Sequence, residues 1–210
     1  MIKVMLVDDH PVVRQGIRLI LSANGEIDVI AEAANAAEAV QKVRNQVVDL
    51  VVLDLNLPDQ NGFWVLAELQ RSHPTLPVLV LSIQPEEHMA VRALKAGARG
   101  FLNKESAPEE LAKAVRTVAD GKRYISPRLA EWLAVDVSGH RESLPHERLS
   151  DREYQVMCLL ASGRSISEIA AQLNRSANTI STYRTRIMQK MAIENNAGLT
   201  EYALNHQLIN

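Results

Sequence analysis

The chain is poor in cysteine, in long apolar runs and in net charge. Its single cysteine, Cys158, excludes an intramolecular disulfide and a cysteine-based metal site. Cys158 stands in the apolar stretch Val156-Met157-Cys158-Leu159-Leu160, where it reads as a small buried hydrophobe rather than a reactive thiol, and a reducing compartment suits it. No apolar run approaches the roughly 18 residues of a membrane-spanning helix. The N-terminus leads straight into a strand without a signal-peptide pattern, so a cytoplasmic protein with no membrane partner is expected. A net charge of −2 gives no overall sign of nucleic-acid binding, and any such sign must come from one helix.

What is present is ordinary for a globular protein: 210 residues, 47% hydrophobic and 23% charged, room for one large domain or two small ones. Residues 1–121 alternate strand and helix patterns. Ile2 to Val7, Asp28 to Ala33, Val47 to Asp54, Pro77 to Ser82 and Gly97 to Lys104 read as strands. Between and after them lie helices from Pro11 to Ser22, from the capping sequence Asn35-Ala36-Ala37-Glu38 to Asn45, from Gly62 to Ser72, from Pro85 to Ala96, and from Ser106-Ala107-Pro108-Glu109 to Asp120. Strict alternation predicts a doubly wound, five-stranded parallel sheet with helices on both faces.

Residues 122–148 break the pattern with Pro127, Ser138-Gly139 and Pro145 and read as a linker, with one short helix near Leu129 to Val135. Residues 149–210 read as a small all-α domain of four helices. Ser150-Asp151-Arg152-Glu153 and Ser165-Ile166-Ser167-Glu168 are capping boxes for Tyr154 to Ala161 and Ile166 to Leu173, and helices follow over Ser176 to Met191 and Asn196 to His206.

The central strand Val47 to Asp54 ends on an acid after a nearly unbroken apolar run, at the sheet edge where open α/β folds bind ligands. Asp8 and Asp9 follow the first strand, Ser82 closes the fourth and Lys104 the fifth, on the same edge. Three carboxylates in one pocket repel unless a cation joins them. Hard oxygen donors with no His or Cys from other strand ends suit Mg²⁺, with Asp9 and Asp54 as ligands, Asp8 assisting through water and Asn56 offering its backbone carbonyl. A nucleophile, a hydroxyl donor and an ammonium around one ion fit phosphoryl transfer to Asp54. Lys104 neutralises charge there and Ser82 donates to a phosphoryl oxygen.

These residues, with Pro58 and Gly62 after Asp54, resemble the receiver domain of bacterial response regulators, of flavodoxin-like fold. The resemblance implies a sensor histidine kinase as donor, an acyl phosphate on Asp54 that hydrolyses slowly, and no enzymatic turnover beyond this self-catalysed chemistry. It also implies a switch in which Ser82 moves toward the phosphoryl group and Phe101 turns inward; the bland alternative for Phe101 is sheet packing. Two features depart from the commoner pattern. Ile83 is bulkier than the small residue often found there, which narrows access to the acyl phosphate, and Glu105 replaces a frequent proline after Lys104.

From Ser176 to Met191 the apolar positions Ile180, Ile187 and Met191 share one face with Tyr183, and the other face is basic without a single acid. Arg184, Arg186 and Lys190 are placed for phosphates. Asn178, Ser181, Thr182 and Thr185 are placed for base edges in a major groove of double-stranded DNA. With the preceding helix and the Asn174-Arg175 turn this makes a helix-turn-helix. Leu149-Ser150-x-Arg152-Glu153, Ala161-x-Gly163, Glu168-Ile169-Ala170-x-x-Leu173, Thr179-Ile180 and Lys190-Met191 resemble the LuxR-type domain. Receiver plus LuxR-type domain is the NarL/FixJ-type arrangement, which implies a two-component regulator whose phosphorylation switches DNA binding and transcription. With only three cations on the helix a homodimer on paired half-sites is expected, and RNA polymerase is a candidate partner. Two other classes stay open: an Asp-nucleophile phosphohydrolase with a helical cap, disfavoured by Asn56 where such enzymes carry a second acid, and an adaptor that binds protein rather than DNA.

Overall fold

The computed structural model describes residues 1–83, 86–106, 108–127, 129–131, 144–206 and 208–209. Contacts divide the chain into two units, Met1–Ala134 and Val135–Asn210. In the first, apolar segments form strands that are buried on both faces, as a parallel sheet flanked by helices requires, except that the edge strand Ile27–Ala33 alternates buried and exposed residues. They are β1 (Ile2–Val7), β2 (Ile27–Ala33), β3 (Leu50–Asp54), β4 (Val78–Ser82) and β5 (Gly100–Asn103). The sheet order is β2-β1-β3-β4-β5 and every pairing is parallel. The order reverses between β1 and β3, so the crevice at their carboxyl ends is the position where such sheets bind ligands.

The helices are α1 (Pro11–Ser22), α2 (Ala36–Asn45), α3 (Gly62–Ser72), α4 (Glu86–Lys95) and α5 (Pro108–Ala119). Each starts and stops within a few residues of its expected bounds. Pro85 and Ala107, both expected at helix starts, lie outside the described residues, as do 132–143, which hold most of the short helix expected near Leu129 to Val135. The cap of α2 differs in detail. Asn35 accepts the Glu38 N–H at 2.8 Å, but Glu38 reaches back to the Ala34 N–H at 2.8 Å rather than to Asn35, because its other oxygen pairs with Lys42.

The first unit does not end at residue 121. Tyr124 bridges Gly100 in parallel, donates its N–H to the Arg99 carbonyl at 3.0 Å and accepts the Phe101 N–H at 3.3 Å. Its ring is buried and its hydroxyl donates to Glu110 at 2.9 Å. β5 is an edge strand whose outer amides and carbonyls need partners, and the chain leaving α5 supplies them. The expected linker is therefore shorter at this end.

It is shorter at the other end too, where Pro145–Arg148 forms a 3₁₀ turn with His146 buried against Tyr202. Four helices follow: α6 (Asp151–Ala161), α7 (Ile166–Gln172), α8 (Ala177–Met191) and α9 (Asn196–Asn205). Both predicted capping boxes are present, at Ser150 with Glu153 and at Ser165 with Glu168. The connection from α7 to α8 passes through Asn174 in the left-handed region, φ 49°, a conformation that asparagine tolerates better than most residues.

Candidate functional site

Asp8 follows β1 directly and Asp54 is the last residue of β3, and both carboxylates are buried. Lys104, just past β5, lies between them. Its Nζ donates to Asp8 Oδ2 at 2.6 Å and to Asp54 Oδ2 at 2.7 Å. The other oxygen of Asp54 accepts the Asn56 N–H at 3.1 Å, so Asn56 meets the site through its amide. Burial pushes the Asp54 carboxyl above its ordinary 3.8, although Lys104 and the Asn56 N–H pull it down. Burial also pulls the Lys104 amine down, but Asp54 and Asp8 outweigh it and hold the ammonium above its ordinary 10.5.

Asp9 completes the acidic set, and the structure adds a member that sequence reasoning passed over. Oxygens of Asp8, Asp9 and Asp54 and a ring nitrogen of His10 lie within 4.8 Å of one another. Asp9 Oδ1 is enclosed without a hydrogen-bond partner; His10 Nδ1 is 2.7 Å away but out of line for one. A cluster of this kind is compatible with a metal ion.

Ser82 closes β4, wholly buried, and its carbonyl accepts the Lys104 N–H at 2.9 Å, which ties the lysine loop to the strand next to β3. Phe101 is fully buried opposite Val80, so in this conformation it already packs in the sheet interior. Ile83 is 61% exposed at the surface beside Ser82. Gly62, which opens α3, is required by a close approach: a Cβ there would lie 2.5 Å from the Asp54 carbonyl and 2.6 Å from Leu55 Cα.

In α8, Ile180, Ile187 and Met191 are buried and Tyr183 is half-buried, as the spacing predicts, while Asn178, Thr182, Thr185 and Arg186 are exposed. Thr182 and Thr185 donate their hydroxyls back to the carbonyls of Asn178 and Ser181, at 2.9 and 3.1 Å. Arg184 Nε donates to Asn196 Oδ1 at 2.9 Å. Lys190 is exposed and has a protein partner as well. Its Nζ donates to Glu153 Oε2 at 2.6 Å, and Glu153 is almost wholly buried.

Residues 4–116 match the response regulator receiver domain, and residues 147–203 match the bacterial regulatory proteins of the luxR family. This chain is a response regulator. The response regulator UvrY of Escherichia coli strain K12 is 36% identical over 211 residues, covering 100% of this chain and 97% of UvrY. The response regulator GacA of Pseudomonas aeruginosa is 33% identical over 210 residues, covering 100% of this chain and 98% of GacA. The structure of RcsB from Salmonella enterica serovar Typhimurium, bound to promoter P1flhDC with the phosphomimetic BeF₃⁻, is 28% identical with a TM-score of 0.72. It covers 96% of this chain and 97% of that one.

Two polar arrangements in this response regulator had no sequence signal beyond the presence of the residues. Arg14, on α1, donates Nη1 to the Asp8 carbonyl at 2.6 Å and Nε to Glu32 at 3.0 Å, which anchors the acidic loop from behind. Glu153 makes its predicted cap through Ser150 N and Oγ, and the same Oε2 also accepts from Lys190, which the sequence did not signal. Among the described residues no helix is long and apolar enough to cross a membrane.

Proposed function

We propose that this response regulator takes a phosphoryl group onto Asp54 from the histidine of a sensor kinase, and that the modification alters its binding to promoter DNA and so transcription. The observation that carries the reading is the Lys104 ammonium between two buried carboxylates, one of them at the end of the central strand. The unpartnered Asp9 Oδ1 and the hard oxygen donors around it fit a small divalent cation. Asp9, Asp54 and the Asn56 carbonyl would hold Mg²⁺, with Asp8 acting through water. When bound it supplies charge neutralisation at the transferring group.

The protein's own part follows from its residues. An Asp54 oxygen attacks phosphorus as the bond to the donor nitrogen breaks. That nitrogen keeps the electron pair, and with the ring's other nitrogen already carrying a proton the donor leaves as neutral imidazole, so no further proton is needed. Lys104 shifts its hydrogen bond from the Asp54 carboxylate to a phosphoryl oxygen, and the Ser82 hydroxyl donates to another. Asn56 stands where a phosphohydrolase carries its second acid, so the group is stored and lost slowly rather than turned over, without enzymatic action on a separate substrate. Phe101 stays packed and transmits the change as part of β5.

On the DNA side, Ser181, Thr182, Thr185 and Asn178 face base edges. The two threonine hydroxyls have their protons engaged by the helix backbone and so act there as acceptors. Arg186 and Arg184 face phosphates, and Lys190 mainly holds α8 to α6. A homodimer on paired half-sites in the cytoplasm, with RNA polymerase as a further partner, completes the reading.

The test is labelling with acetyl phosphate and Mg²⁺. Intact labelling of Asp54→Asn would remove Asp54 from its role, and loss of labelling with retained folding supports it.

A further inference from the structure

Among the described residues His10 is the one imidazole at the acidic cluster, and its placement is set by the backbone. It precedes Pro11, and a residue before proline is held in the extended region; His10 has φ −91° and ψ 109°. In that conformation its N–H donates to Asp8 Oδ1 at 2.8 Å, which closes the loop on the site. The ring then presents Nδ1 inward, 3.3 Å from Asp8 Oδ1 and 2.7 Å from Asp9 Oδ1. The remainder of the side chain is open, 64% exposed.

Two carboxylates from one loop therefore converge on a single ring nitrogen, and the Asp54 carboxylate lies within the same 4.8 Å set. Ligands of one ion at about 2.1 Å stand no more than about 4.2 Å apart, and the 2.7 Å and 3.3 Å approaches of Nδ1 to Asp9 and Asp8 fall inside that limit. The Asp9 Oδ1 to Nδ1 approach is too poorly aligned for a hydrogen bond and leaves that oxygen without a partner. An imidazole nitrogen and a carboxylate oxygen can both donate a lone pair to one ion, which would satisfy the Asp9 oxygen at once.

Building on the acidic site proposed above, we infer that His10 Nδ1 is an additional metal ligand, which gives the site a preference for first-row divalent ions that accept imidazole, such as Mn²⁺, over Mg²⁺. Mg²⁺ takes oxygen donors and gains little from the ring. Ions further along the transition series gain a nitrogen ligand, and their affinity depends on it. Coordination through Nδ1 leaves Nε2 carrying the proton toward water, where the exposed side of the ring lies.

The experiment titrates the full-length protein with Mn²⁺ and with Mg²⁺, for the wild type and for His10→Ala, and records pulsed EPR of the Mn²⁺-loaded forms. The wild type should show nitrogen-14 modulation from one imidazole. His10→Ala should lose that modulation and should lose about tenfold more affinity for Mn²⁺ than for Mg²⁺, an effect of the size seen when a supporting group is removed from a metal site. The His10 side chain is exposed, so His10→Ala should fold as the wild type does, and circular dichroism of the variant checks it. Mn²⁺ bound without nitrogen modulation overturns the assignment of His10 and leaves the acidic site standing. Failure of both ions to bind the wild type overturns both.

Discussion

Lys104 Nζ stands 2.7 Å from Asp54 Oδ2, and the same ammonium is 2.6 Å from Asp8 Oδ2. One cation thus lies between two buried carboxylates, and it opposes the burial that drives Asp54 toward protonation. Removing one member of such a buried set typically costs about 3–5 kcal/mol. Lys104→Met should lower stability by about 3 kcal/mol in urea titrations. It should also bind Mg²⁺ more tightly than the wild type, because the ion no longer competes with the ammonium, while labelling by acetyl phosphate falls. Affinity and reactivity moving together would contradict the roles given to Lys104.

Gly62 and Gly16 make a contrasting pair. A Cβ on Gly62 would press on the Asp54 carbonyl and Leu55 Cα, whereas nothing lies within 4 Å of one built on Gly16 in the middle of α1. Gly62→Ala should destabilise by about 1–3 kcal/mol through overpacking and disturb the acidic site beside it. Gly16→Ala should stabilise by about 0.5–1 kcal/mol, because alanine loses less backbone entropy in a helix. Thermal melts of the two variants should shift in opposite directions.

The sheet, its helices and the gathering of Asp8, Asp9, Asp54, Ser82 and Lys104 were legible because alternation fixes a parallel sheet, and strand ends in such a sheet share one edge. Hydrophobic period also gave the buried face of α8. What period does not encode is lateral partnership between distant segments. Tyr124 read as linker because its pairing with Gly100 depends on an edge strand finding a neighbour. Lys190 read as a phosphate contact because it lies on the polar side of α8, and only packing against α6 brings it to Glu153. His10 was overlooked beside two aspartates because its ring direction depends on the extended backbone before Pro11.

The Glu153–Lys190 pair carries a pH prediction. Burial pushes the Glu153 carboxyl up, but Lys190 and the donors of Ser150 outweigh that and hold it below its ordinary 4.5. A carboxyl lowered on folding stabilises fully above its unfolded value, and that contribution is lost as pH falls through the lowered one. Hydrogen exchange at α8 amides should therefore speed up as pH drops below about 4.5, after correction for the intrinsic pH dependence of exchange. Glu153→Gln should be less stable at neutral pH and show a flatter pH dependence. Parallel profiles for wild type and variant would show that the pair does not hold α8.

The cations of α8 separate by salt dependence. Each phosphate neutralised by a side chain contributes about 0.9 to the slope of log affinity against log salt on duplex DNA. Arg186 is exposed, so Arg186→Ala should weaken binding to specific and random DNA alike and flatten the slope by about 0.9. Lys190 already donates to buried Glu153, and Lys190→Gln should lower the stability of α8 against α6 while leaving the slope near the wild-type value. Fluorescence anisotropy across a salt series measures both. A slope lowered by Lys190→Gln as much as by Arg186→Ala would place the Lys190 ammonium at the phosphates and make its bond to Glu153 one that DNA displaces.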